Sequence, residues 1–207
     1  MTNTPASFAT ALKGLCLGTI VLLAACVDIG STTAPSRFYV LSSVEPKTAP
    51  SPTGIAVVVG PVTLPRYLDR PQIVTRPSAN QLELAEYDRW GGRLDDNFAR
   101  VLSQNISVHL DTSRVALFPR DQRPADAVQI SVDVSRFEKI GEQSDVELDA
   151  QWSVYPPDRG AKPIIGTSRI RVRPAGDGLP ETVAAMSSTV DKLAQEIAGV
   201  ARTVAAR

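Results

Sequence analysis

Period-two alternation dominates the second half of the chain. Val128, Ile130, Val132 and Val134 point one way, and Gln129, Ser131 and Asp133 the other. Val146, Leu148, Ala150, Trp152 and Val154 repeat the pattern against Asp145, Glu147, Asp149 and Gln151. Ile170 and Val172 alternate with Arg169, Arg171 and Arg173. One apolar face at this spacing predicts strands of an antiparallel sheet, buried on one side and wet on the other. Residues 156–163, PPDRGAKP, read as the hairpin loop between the last two strands. Upstream, Phe38 to Leu41 is a short β-prone run, Ile55 to Val59 a continuous apolar central strand, and Glu45 to Gly54 a proline-rich loop. Pro61, Pro65 and Pro71 bracket an irregular stretch before Ile73-Val74-Thr75, and Asn80-Gln81 turns the chain into Leu82 to Ala85.

Two segments switch to helical spacing. Between Trp90 and Leu110, Leu94, Phe98, Val101, Leu102 and Ile106 share one face, with Asp95, Asp96, Arg100 and Gln104 opposite. Asp88 is the expected N-cap of this helix. Pro180 opens the last helix, where its missing N–H costs little. There Val183, Met186, Val190, Leu193, Ile197, Val200 and Val204 recur at alternating steps of three and four. Such a seam either lies on the apolar face of the sheet or meets a coiled-coil partner. The expected fold is α+β, an antiparallel β-sheet with one face covered by two α-helices, in a single domain over 36–207.

The N-terminus has a different character. Lys13 is the sole charge before an apolar run from Leu15 to Ala25, which is too short to span a bilayer and suits a secretory signal peptide over 1–25. The run ends Leu23-Ala24-Ala25-Cys26, which resembles a bacterial lipobox with lipidation at Cys26. Covalent N-acyl and S-diacylglycerol chains on Cys26 would then hold the protein on a membrane, through a polar tether over 26–35. By the sorting rule for such proteins, Val27 rather than Asp after the Cys favours the outer membrane, periplasmic face, while Asp28 one place later weakens that argument. Cys16 leaves with the signal, so the mature chain carries no disulfide and no reactive thiol. Loss of Lys13 leaves 21 basic against 22 acidic side chains, a net of −1. That balance excludes a nucleic-acid-coating protein, whose affinity rests on a basic face.

Catalytic chemistry finds little to use. The single His, His109, falls near a helix end, and no serine sits in a G-x-S-x-G elbow. Asp95 and Asp96 are adjacent, so on a helix they diverge by about 100°. No catalytic, cofactor-binding or metal-binding set emerges, and no enzyme is expected. The polar face of the last hairpin is more informative. If residues 156–163 close it symmetrically, facing positions sum to about 318. Asp149 then meets Arg169, Glu147 meets Arg171, and Asp145 meets Arg173. These opposed charges read as sheet stabilisation, with acidic headgroups or a partner as the alternative use of the arginine row.

The stretch VGPVTLPRYLDRPQIVTR, followed by NQLELAEYDRWGGRLDDNFARVLSQNI, carries a further pattern. A strand ending Gly-Pro-Val, a Leu-Pro-x-Tyr-Leu-Asp-Arg-Pro-Gln-Ile-Val segment, and Asp-Arg-Trp ahead of a Leu-Asp helix start resemble the PqiC/YmbA family of ABC-type transport auxiliary lipoproteins. Gly91-Gly92 after Trp90 departs from the pattern by loosening the helix start. The resemblance implies an auxiliary subunit without catalysis, metal or nucleotide. It also implies an MCE-domain membrane protein as partner in lipid transport between membranes, and it allows a homo-oligomer. The alternative is a structural lipoprotein that helps build an outer-membrane machine without handling lipid. The expected partner-binding segment runs from Leu64 to Gln72, with Tyr67, Leu68, Asp69 and Arg70 foremost. Pro65 and Pro71 stiffen it, and Tyr and Arg are common at interface hot spots. The competing expectation is that Tyr67 and Leu68 tuck under the sheet edge while Asp69 and Arg70 cap the loop.

Overall fold

A computed structural model describes residues 34–119, 124–141, 145–158 and 160–206. The expected signal peptide, Cys26 and nearly all of the expected tether lie outside the described residues. Residues 36–207 form one compact unit. Its strands are β1 (Arg37–Tyr39), β2 (Val57–Thr63), β3 (Gln72–Ser78), β4 (Gln81–Trp90), β5 (Val115–Leu117), β6 (Val128–Ile140), β7 (Val146–Tyr155) and β8 (Ile164–Val172). Its helices are α1 (Leu94–Leu110) and α2 (Leu179–Ala205).

The α+β class holds, but the sheet is mixed where an antiparallel one was expected. Antiparallel pairing joins β3 to β4, β6 to β7 and β7 to β8. The pairs β1–β4, β2–β5, β2–β6 and β3–β6 are parallel. β6 organises the whole. β7 lies along one edge of it from Gln129 to Lys139. On the other edge β2 takes Val128 to Asp133 and β3 takes only Lys139 and Ile140. The sheet therefore forks, and the connection between β2 and β3 sits beside the middle of β6.

Both helices pack on one face. Leu94, Phe98, Val101, Leu102 and Ile106 of α1 are buried, and Phe98 meets Phe137 of β6 edge-to-face at 5.1 Å. The seam of α2 lies on the sheet and beside α1, so the coiled-coil alternative is not needed. Val183, Met186, Val190, Leu193, Ile197 and Val204 are buried there, as are Ala185, Ala194, Ala198 and Ala201. Small residues let the helix approach closely, which widens the buried stripe beyond the seam. His109 near the end of α1 places Nε2 2.7 Å from Asp191 Oδ1 of α2, and the Arg202 guanidinium donates to the His109 carbonyl. The segment after β1 straps both helices. Leu41 N–H and Val44 N–H donate to the Asn97 and Asn105 side chains, and Ser42 N–H donates to Ser187 Oγ.

Several boundaries move for tertiary reasons. α1 begins at Leu94, not Trp90, with Arg93 in extended conformation as its N-cap. Asp88 is not that cap. It lies in β4, held between neighbours, and its carboxylate accepts both Nε (2.6 Å) and Nη2 (2.8 Å) of Arg37. Pairing with β1 and β3 keeps the chain extended to Trp90, and Gly91-Gly92 provide the break. β2 runs on past Pro61 through a register shift between Val59 and Val62, with Gly60 at φ 123°. β6 continues to Ile140 because a bulge between Val134 and Arg136 reverses its parity. Beyond the bulge Phe137, not an even-numbered residue, enters the core.

Candidate partner-docking face

The last hairpin has the expected register. Glu147 faces Arg171 and Asp149 faces Arg169, and both pairs sum to 318. Arg169 Nε lies 3.2 Å from Asp149, Arg171 Nε 2.7 Å from Glu147, and Arg173 Nε 2.9 Å from Asp145. Glu147 also accepts Arg136 of β6 at 3.1 Å. Facing residues share a side of the sheet, so this ladder lies on the side away from the helices. Gly166 on β8 is required by the packing on the helix side. A Cβ there would stand 2.2 Å from Cζ2 of Trp152, whose indole N–H donates to Ser168 Oγ at 2.9 Å.

Directly opposite Glu147 on β6 is Glu138. Two carboxylates facing each other repel. Glu138 is 0% exposed, so its charge also loses the screening of water. Three donors compensate. Arg76 Nε of β3 lies 2.7 Å from Oε1, Tyr67 O–H donates to Oε2 at 2.9 Å, and the Phe137 N–H donates to Oε2 at 2.9 Å. The Arg76 guanidinium also lies 5.4 Å from the Tyr67 ring centroid. Burial pushes the Tyr67 phenol up to about 12, with the Glu138 charge and hydrogen bond adding to the effect and Arg76 opposing it.

Tyr67 is thus the link between the two features singled out in the sequence. The Leu64–Gln72 segment contains a 3₁₀ turn, Arg66–Leu68. Leu68 N–H donates to the Pro65 carbonyl at 2.9 Å, and Trp90 N–H to that of Pro71 at 2.7 Å. Leu68 is buried, while Leu64 and Tyr67 are half-buried against the core. Asp69 and Arg70 stand exposed at the tip with Arg66, and Gln72 begins β3 opposite Arg89. Two shallow cavities flank Asp69. One of about 210 Å³ lies between Leu64, Arg66 and the start of α1 at Arg93 to Asp95. The other, about 270 Å³, lies between Arg70, Pro71, Trp90 and Arg93. Arg93 bonds Asp95 through Nε at 3.1 Å and is raised in pKa by that bond, by the Asp95 charge and by Asp69.

The sequence reading missed Arg76, Arg136 and Glu138. The charged Glu138-Lys139 pair enclosed by Phe137 and Ile140 was the available signal for Glu138. Among the described residues no group of His, Cys, Asp or Glu is arranged to hold a metal, and no helix is long and apolar enough to cross a membrane. The arrangement offers a charged surface on the side of the sheet away from the helices.

Comparison with solved structures supports this architecture. An uncharacterized protein superposes with a TM-score of 0.63 at 20% identity, covering 82% of this chain and 99% of its own. A DUF330-family protein from Xanthomonas campestris gives 0.60 at 17% identity, covering 81% and 95%. PelC from Paraburkholderia phytofirmans, a dodecamer, gives only 0.42 at 13% identity, covering 73% and 91%. No curated protein matches the sequence. A family model, by contrast, spans residues 39–198, from β1 through most of α2, and includes the whole charged face with its supporting loop. On that span the chain belongs to the family of ABC-type transport auxiliary lipoprotein components.

Proposed function

We propose that this protein is the non-catalytic, outer-membrane-anchored periplasmic subunit of an MCE-type lipid transport system, joined to an MCE-domain membrane protein. The supporting observation is that the transport-auxiliary domain, matched from Tyr39 onward, follows closely behind Leu23-Ala24-Ala25-Cys26. A domain so placed is tied by lipid to one membrane and free to contact a protein reaching from the other. Its docking surface is the exposed rim of the Leu64–Gln72 segment, Arg66, Asp69 and Arg70. Tyr67 and Leu68 hold that rim in place from beneath. A rim fixed by a buried carboxylate loses little entropy when a partner binds.

Purification of the intact lipoprotein from native membranes, with identification of what accompanies it, tests this reading. An MCE-domain protein should be recovered, and density separation should put the complex in the outer-membrane fraction. Recovery of outer-membrane assembly components with no MCE-domain protein would favour the structural-lipoprotein alternative. The anchor has its own test. Cys26→Ser should shift the protein from the membrane pellet to the soluble periplasm, and an unchanged pellet would remove the lipobox reading.

A further inference from the structure

We infer that the outward side chains at the first strand, Phe38 and Val40, rest on the bilayer that holds the anchor, making β1 the membrane-facing edge of the domain. The inference depends on lipidation of Cys26 as proposed above.

Alternation around β1 divides its side chains cleanly. Tyr39 packs on the core and Leu41 is buried, while Arg37 turns to Asp88. Phe38 and Val40 point the other way and are 67% and 56% exposed. β1 is the terminal strand of the sheet order, bonded only to β4 at Asp88 to Trp90. An exposed Phe–x–Val pair on a sheet edge invites self-association unless something apolar receives it.

The length of chain leading to β1 selects the receiver. Residues 26–35 separate the anchor from the compact unit that starts at Ser36. Ten residues reach at most about 35 Å when fully extended. A folded unit of this size has a radius of gyration of about 16 Å, which for a sphere means a diameter of about 41 Å, so it is wider than its leash is long. The bilayer surface is therefore the apolar medium that β1 meets first, at an effective concentration in the millimolar range. A Phe beside an aliphatic side chain is suited to shallow insertion at the headgroup–acyl boundary. Ile165, 61% exposed, sits on β8 at the far side of the sheet. Five strand spacings put it about 24 Å away.

The test uses the full-length lipoprotein, purified from membranes and reconstituted into vesicles of phosphatidylethanolamine and phosphatidylglycerol. Cys16 and Cys26 are the chain's two cysteines, and neither is a free thiol in the anchored protein. A Val40→Cys or Phe38→Cys variant then carries one reactive thiol for an environment-sensitive dye, and Ile165→Cys serves as the distant reference. Nitroxide-labelled lipids should quench the dye at 40 and at 38 several-fold more than at 165. Equal, weak quenching at all three positions in vesicle-bound protein overturns the inference. So does a blue-shifted dye at 40 that lipid nitroxides do not quench, which would place a protein surface over β1. Dye uptake by the unsubstituted protein would show Cys26 to be free, removing the anchor and this inference with it, an outcome distinct from failure of the surface alone.

Discussion

At the scale of single residues, Glu138 is the most consequential group. Its side chain is 0% exposed and that of Arg76 is 16% exposed, whereas Arg173 and its partner Asp145 are 75% and 31% exposed. Removing one partner of a buried pair leaves an uncompensated charge, at a cost of about 3–5 kcal/mol. Removing one partner of an exposed pair costs about 0–1 kcal/mol. Arg76→Ala should therefore destabilise several-fold more than Arg173→Ala in urea titrations, although both delete one positive charge. Similar losses for the two variants would contradict the burial argument. Tyr67 adds a pH dependence. Its phenol is raised from 10.0 to about 12, so the folded protein holds that proton more tightly than the unfolded chain. The associated stability is complete below pH 10 and disappears as pH rises from 10 through about 12. Tyr67→Phe should flatten the alkaline end of the stability profile, and absorbance titration of tyrosinate reports the ionisation directly.

At the scale of elements, the β7–β8 hairpin joins a charged ladder on one side to a packed indole on the other. Trp152 covers Gly166, and Ser168 passes the hydrogen bond on from the indole N–H to Glu196 of α2. Gly166→Ala forces a Cβ into the ring, so either the indole or the strand must shift. A loss of roughly 1–3 kcal/mol is expected, with a changed tryptophan emission spectrum. An unaltered spectrum at full stability would mean that the indole does not lie over Gly166. The ladder opposite should respond to salt instead. Exposed pairs are screened, so Arg169→Ala should cost less at high ionic strength than at low. Arg76→Ala, whose partner is buried, should change little with salt.

At the scale of the whole molecule, β6 links the charged face to the helical core. Phe137 turns inward onto Phe98 while its neighbour Glu138 turns outward to Tyr67 and Arg76. The Leu64–Gln72 segment is thereby fixed to the longest strand. α2 closes the other side, and Leu193→Ala within it should cost about 2–5 kcal/mol through the cavity it leaves. Asp69→Ala with Arg70→Ala should leave folding intact, because both side chains are exposed, yet lower recovery of the MCE-domain partner from membranes. Normal recovery with a normal fold would remove the Leu64–Gln72 rim as the docking site.

Local pattern determined much of this protein. Period two marked β6, β7 and β8, the three-and-four spacing marked both helices, and a short loop fixed the hairpin register that pairs Asp149 with Arg169. Each of these follows from neighbours within a few residues, which is the range over which sequence periodicity acts. The lipobox pattern at Cys26 is likewise local, and stays a matter for the proposed cysteine test. Tertiary structure decided what depends on distant partners. Parallel pairing of β2 and β3 with β6 cannot be read from alternation, because strands of either orientation have the same side-chain period. Asp88 reads as a helix cap until Arg37, 51 residues earlier, claims it in a sheet. Tyr67 and Arg76 reach Glu138 across separations of 71 and 62 residues. Only the completed fork in the sheet brings them together, and burial of that carboxylate turns a stiff proline-bracketed loop into a fixed part of the charged face.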